Sequence, residues 1–363
     1  MTADDNVLTF TAIRGIQAGR EYYSAMCELK VIAKMFIFDD EAMSPELRAQ
    51  RTLNKTRIPE MAKYLVDNHR DYTFSSLTAS IDGKARFEPY GEEGTSQNLG
   101  RLLIPMTSRF LINDGQHRRA AIEEALKERP ELGDETLSVV FFLDAGLKRS
   151  QQMFADLNRH AIRPNKSIGI LYDHRDQLSR LAREVAEDVS FFRNLTDLEK
   201  TSISNRSNKL FTLNAIFSST NTLLGKRPND DVSGKEQALA VEFWEEVGKN
   251  IPDWQMAVDK KVSCADLRKD CIHSHGIALQ AIGNAGAALL AEEPKRWKAK
   301  LKNLNKLDWA RSNKKFWEGR ALMKGRVSKA LVNVTLTTNA IKKCLTLTLS
   351  AREKEAEANF RKK

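Results

Sequence analysis

The sequence lacks the features that mark several large protein classes. Its four cysteines, Cys27, Cys264, Cys271 and Cys344, have no repeating spacing, which argues against a secreted disulfide framework. No apolar run approaches the roughly 20 residues needed to cross a bilayer. No charged leader followed by an apolar stretch opens the chain. These absences predict a soluble protein of the reducing cytoplasm with no membrane partner. There is also no Gly-x-x-x-x-Gly-Lys-Ser/Thr loop and no Gly-x-Ser-x-Gly elbow, so the commonest ATPase and hydrolase signatures are missing. Neither an internal repeat nor a low-complexity tract is present.

What the chain has in excess is positive charge, unevenly placed. The 363 residues carry a net +10. Residues 291–363 hold 20 Lys and Arg against 7 Asp and Glu, a net +13, which leaves −3 for the first 290 residues. A basic block of this kind favours a polyanion, most simply the phosphate backbone of DNA or RNA, through release of condensed counterions. The competing reading is a solvated helical surface. An anionic membrane is disfavoured because no basic helix shows a clean apolar anchor face.

Length and patterning point to two domains and an α+β fold. Residues 7–13 alternate like a strand, and Ser44, Pro45 and Glu46 resemble a helix start. Ile58-Pro59 opens a second helix through residue 68, and residues 74–81 return to strand character before a turn at Asp82-Gly83. Residues 90–100 read as loop, and 101–104, 109–112 and 137–143 as further strands. Strands interleaved with helices thus fill residues 1–147. Residues 148–363 read as a helical, basic domain. It has helices over 151–158, 178–192, 205–217, 237–247 and 271–290, a breaker-rich loop at 225–234, and an ambiguous β-branched stretch at 327–347. The charged end, 352–363, is expected to fray.

One turn concentrates chemistry. Between the strand ending at Ile112 and a helix starting near Ala120 lie Asp114, Gly115, Gln116, His117, Arg118 and Arg119. Glycine frees the turn from φ restrictions, so N–H groups at the helix start can approach a phosphate, with His117, Arg118 and Arg119 adding charge. The bland alternative makes Asp114 a helix cap and leaves both arginines solvated. Asp156 and Asp173, in the polar stretches 154–160 and 172–176, are the carboxylates suited to Mg²⁺ bridging phosphates, or else members of a salt-bridged linker. Cys264, Cys271, His273 and His275 invite a zinc reading, but their spacing departs from finger patterns, so no metal site is expected. Cys27 has no nearby group to activate its thiol and reads as a buried cysteine, with a redox switch as the alternative.

For nucleic acid the best candidates are Arg311, Lys314, Lys315, Arg320, Lys324, Arg326 and Lys329, which crowd around Trp309, Phe316 and Trp317. The aromatics either stack on bases or anchor the segment to the core. A helix-turn-helix over residues 150–183, with 167–181 as recognition helix, is a further possibility.

Asp114 to Arg118 spell the signature of the DGQHR-domain proteins, and the surrounding chain resembles the DndB family of DNA phosphorothioation systems. The resembling segments run from Gln50 to Tyr64, through Ile81-Asp82-Gly83, 154–158 and 171–176, to Trp317-Glu318-Gly319-Arg320 and 325–329. The resemblance implies a ParB/sulfiredoxin-like N-terminal domain whose corresponding box holds nucleotide phosphates. Gln116 stands where those boxes carry an acidic residue or cysteine, so neither nucleotide hydrolysis nor sulfinate reduction carries over. It further implies a DNA-binding repressor of the operon encoding the DNA sulfur-modification enzymes. Its partners would be double-stranded promoter DNA and other DNA sulfur-modification proteins. Operator symmetry adds the expectation of a homodimer. The alternative is an enzyme that hydrolyses nucleotides or nicks DNA, with a nucleotide and Mg²⁺ as cofactors and Asp114, His117, Asp156 and Asp173 as catalytic candidates.

Overall fold

The computed structural model describes residues 7–36, 57–143, 152–153, 156–157, 165–204 and 206–361. Two compact units divide the chain, Met1–Ile162 and Arg163–Lys363. The expected helix start at Ser44 lies outside the described residues, as does most of the 151–158 helix.

The first unit contains β1 (Val7–Gln17), β2 (Arg20–Glu28), α1 (Leu29–Met35), α2 (Ile58–Asp67), β3 (Leu77–Asp82), β4 (Arg86–Pro89), β5 (Leu99–Pro105), β6 (Arg109–Asp114), α3 (Gln116–Glu128) and β7 (Thr136–Leu143). The seven strands form one mixed sheet in the order β4-β5-β1-β2-β7-β3-β6. Only β3 and β7 run parallel; every other neighbouring pair is antiparallel. One face of the sheet and helices α1, α2 and α3 share a core that includes Tyr23, Cys27, Ala79, Val139 and Phe141 from strands and Ile32, Leu65 and Ile122 from helices. Ile13, Met26 and Leu99 are exposed. Strand β2 is hard to read in the sequence because Tyr22, Tyr23 and Met26 blur its alternation. Its period-two signal is nevertheless present, since Tyr23, Ala25 and Cys27 are the buried residues.

The second unit contains α4 (Lys166–Tyr172), α5 (Gln177–Asp188), α6 (Ser190–Arg193), β8 (Thr196–Asp197), β9 (Phe211–Thr212), α7 (Leu213–Leu223), α8 (Gly234–Lys249), α9 (Pro252–Val258), α10 (Cys264–Asp270) and α11 (Gly276–Glu292). It continues with α12 (Trp297–Leu301), α13 (Lys314–Trp317), β10 (Leu322–Met323), β11 (Arg326–Val327), α14 (Leu331–Cys344) and α15 (Ala351–Arg361). The chain is therefore α+β, with the sheet in the first unit and helices dominating the second. The apolar helix α11 packs against α7 and α14, and its core includes Phe192, Phe211, Trp244, Trp254 and Trp317.

Several expectations about this unit are corrected. Residues 167–181 are not one recognition helix: α4 ends at Tyr172, and α5 starts only after Asp176. The carboxylate of Asp173 accepts from the N–H groups of Arg175 and Asp176, and that of Asp176 accepts from Leu178 and Ser179. Two adjacent aspartate caps thus compete with continuation of the helix. The expected 205–217 helix begins at Leu213, where Thr212 caps it through Ala215 N–H at 3.2 Å. The 271–290 helix begins at Gly276, because Cys271 forms a bridge with Ala310 and residues 272–274 make a tight turn. Through residue 361 the charged end is helical rather than frayed. It forms α15, whose Glu357 is buried.

Candidate functional site

The glycine turn lies in the first unit, where β6 passes into α3. Opposite it the β3–β6 register slips, pairing Thr78 with Asp114 and Ala79 with Ile112. Asn113 is the extra residue, a bulge, and its buried side-chain amide donates to Ser80 Oγ at 2.5 Å. Gly115 follows with φ 104° and ψ 17°. A Cβ at this position would overlap the Leu77 side chain and approach the Arg118 guanidinium to 3.0 Å. Both backbone conformation and space therefore require glycine.

The side chains after this turn have mostly internal partners. Arg118 Nη2 donates to Asp114 Oδ2 at 2.7 Å and to Ser76 O at 3.1 Å, which ties the start of α3 to the approach to β3. Gln116 is buried and donates to Ile112 O at 3.1 Å. Arg119 is buried too, donating to Ala33 O at 2.8 Å and pairing with Glu123 at 2.8 Å. Asp114 is no helix cap, because α3 has no side-chain cap bond. Gln116 and Arg119 thus point into the fold, which leaves His117 as the partly exposed member of the group with a tunable proton. Burial pushes its pKa below the ordinary value, and the charges of Arg57 and Arg118 push the same way. Arg57, from the start of α2, is a charged neighbour of the turn that the sequence, which places it 60 residues earlier, does not reveal. A neutral imidazole beside two guanidinium groups favours an anion as neighbour.

The carboxylates expected to accompany this turn have local roles. Asp173 caps as described, and Asp156, in the first unit, accepts from Gln152 Nε2 at 2.7 Å. Cys27 is fully buried on β2, and burial pushes its thiol up to about 12. It is a core residue.

The cations of the second unit separate into three kinds. Lys314, Lys315, Lys324 and Arg326 are exposed, and so is Lys329, which differs from them in also lining a cavity. Arg320 is 8% exposed and is held bidentately by Glu357, with Nη1 to Oε1 at 2.6 Å and Nη2 to Oε2 at 3.0 Å. Its placement inside the unit removes it from any surface that meets DNA. Arg311 donates to the carbonyls of Arg268 and Gly325, each at 3.1 Å, and lines a cavity with Lys329. Lys324 and Gly325 form the turn of the β10–β11 hairpin, both with positive φ, 51° and 73°. That is the backbone of a two-residue type I′ turn. Glu318 accepts from both turn N–H groups, so the hairpin presents Lys324 and Arg326 on a braced tip. Trp309 and Trp317 stack on each other with centroids 5.6 Å apart and are buried, so they anchor the segment to the core.

The residues considered for zinc do not converge. Cys264 and His275 lie apart from the group whose ligand atoms come within 4.8 Å of one another, Asp253, Cys271 and His273. Trp254 Nε1–H donates to His273 Nδ1 at 3.1 Å, so the ring's proton sits on Nε2 and is donated to Asp253 Oδ2 at 2.8 Å. Nε2 therefore offers a proton where an ion would need a lone pair. This trio is a hydrogen-bond relay that fastens the 271–275 turn to α9.

A family model described as DndB, DNA-sulfur modification-associated, matches residues 10–348. The chain belongs to the DndB family. The match spans both units, from β1 to the end of α14, so the Gly115 turn and the β10–β11 hairpin both lie within the matched residues. Membership ties the chain to DNA sulfur modification. Searches of curated proteins and of solved structures find no match to it.

Proposed function

We propose that this DndB-family chain is a DNA-binding regulator that represses an operon for DNA phosphorothioate modification, binding its own promoter as a homodimer. The observation that carries the reading is the set of exposed cations Lys314, Lys315, Lys324 and Arg326, gathered around a braced hairpin in a segment of net charge +13. None of the four takes part in an ion pair among the described residues. Such side chains are ready to replace the counterions of a phosphate backbone. The internal engagement of Gln116, Arg118 and Arg119 favours this regulatory reading over catalysis at the Gly115 turn.

The test is a salt titration of binding to the promoter of the chain's own operon and to scrambled duplex. The double variant Lys324→Gln/Arg326→Gln should weaken binding and lower the salt slope by about one unit per lost phosphate contact. An unchanged slope would remove the hairpin from the DNA surface, and equal affinity for promoter and scrambled duplex would remove the repressor.

A further inference from the structure

The second unit contains a cavity of about 540 Å³ whose wall is strongly positive. Lys269, Arg311 and Lys329 line it with His275 and Gly276, and a fourth cation of the wall, Arg268, gives its guanidinium to the carbonyls of Ser204, Ser207 and Lys209. The one acidic side chain on the wall, Asp266, is occupied locally: Ser263 Oγ donates to its carboxylate at 2.6 Å. No ion pair among the described residues involves Lys269, Arg311 or Lys329.

The placement of Lys329 is the informative detail. Gly276 is the first residue of α11, a helix of 17 residues, and a Cβ there would strike the Lys329 ammonium and lie 3.1 Å from its Cε. The amine thus rests against the start of a long helix, where the helix dipole is itself positive and opposes a cation. Two positive ends brought together in one recess are stabilised by an anion placed between them. The surroundings agree. Burial pushes the His275 pKa down to about 4, and the charges of Arg311 and Arg268 act in the same direction. Lys329 is exposed as a residue, but desolvation of its amine at the cavity wall lowers its pKa as well.

We propose that this cavity binds a phosphate-bearing organic anion of mononucleotide size. Three cations and a helix start suit a multiply charged phosphate better than a single carboxylate. The volume exceeds that of bare phosphate and falls in the range of small-molecule sites. Thr201 and Ser202 add hydroxyl groups at the rim. The inference goes beyond promoter binding and reassigns Arg311 and Lys329 from a duplex surface to a ligand pocket.

Calorimetry and thermal shift on the full chain, with AMP, inorganic phosphate, adenosine and a 12-base-pair duplex as probes, test it. AMP should bind and raise Tm, and adenosine should not. Lys329→Gln and the surface-exposed Lys269→Gln should each weaken AMP about tenfold with unchanged circular dichroism. The hairpin variant Lys324→Gln/Arg326→Gln should leave AMP binding intact even where it abolishes duplex binding, which separates this site from the promoter reading. Competition between duplex and AMP, relieved by Lys329→Gln, would identify the phosphate as that of DNA. Simultaneous binding would identify a free nucleotide. No response to AMP, a response to inorganic phosphate alone, or AMP binding that is unchanged in both lysine variants would overturn the proposal.

Discussion

The buried pair of Arg320 and Glu357 shows how a residue's role follows from its partner. Burial alone would raise the pKa of Glu357, but hydrogen bonds from Arg320 and Lys343 outweigh it and hold the carboxyl down to about 2. A carboxyl depressed from 4.5 contributes stability that is complete above about 4.5 and is lost as pH falls toward 2. Wild type should therefore lose stability over that interval in acid-titrated denaturation, and Glu357→Gln should flatten that part of the curve. At neutral pH Glu357→Gln should cost about 3–5 kcal/mol by urea denaturation, because it leaves the buried Arg320 guanidinium without its carboxylate, whereas Arg320→Met should cost less because Lys343 still pairs with Glu357. At the Gly115 turn, His117 should titrate below an ordinary histidine in NMR, and Arg57→Gln should move its pKa upward by removing one nearby positive charge. An unshifted His117 would separate Arg57 from the turn. Gly115 and its neighbours are legible in the sequence because a glycine set between an apolar strand and a helix marks a turn that needs positive φ. Arg320 is not, because charge is written in the sequence whereas its partner lies 37 residues away.

At the scale of elements, local signals are readable wherever they are uncontested. Pro59 places the start of α2 and alternation marks β1, whereas α8 starts at Gly234, ahead of the expected residue 237, because Ser233 and Glu236 form a capping box. Contested signals mislead. The apolar periodicity over 167–181 suggests one helix, but Asp173 and Asp176 offer the backbone better hydrogen bonds than helix continuation does. Asp176→Ala should accordingly destabilise the second unit by about 1 kcal/mol, read as a shift in the urea midpoint at constant m-value. A neutral result would show that packing of α5 on α7 sets the break on its own.

For the whole molecule, the fate of the charged C-terminus is the clearest test. Helix α15 supplies Glu353 to Lys342, at 2.7 Å, and Glu357 to Arg320 and Lys343, and the Phe360 ring centroid lies 4.6 Å from the Arg320 guanidinium. Removing residues 351–363 strands Arg320 and Lys342 without counterions, so the second unit should melt earlier while the first keeps its transition in calorimetry. An unchanged second transition would mean that α15 is dispensable. The sequence by itself determined the α+β class, the strand-turn-helix at Gly115, the family and the C-terminal charge excess, because periodicity, glycine placement and net charge are local or additive properties. Only the tertiary structure decided which cations are exposed, which are locked to carboxylates and which line a cavity. Burial and pairing depend on residues far apart in the chain, and their energies are set by the dielectric and the neighbours that folding brings together.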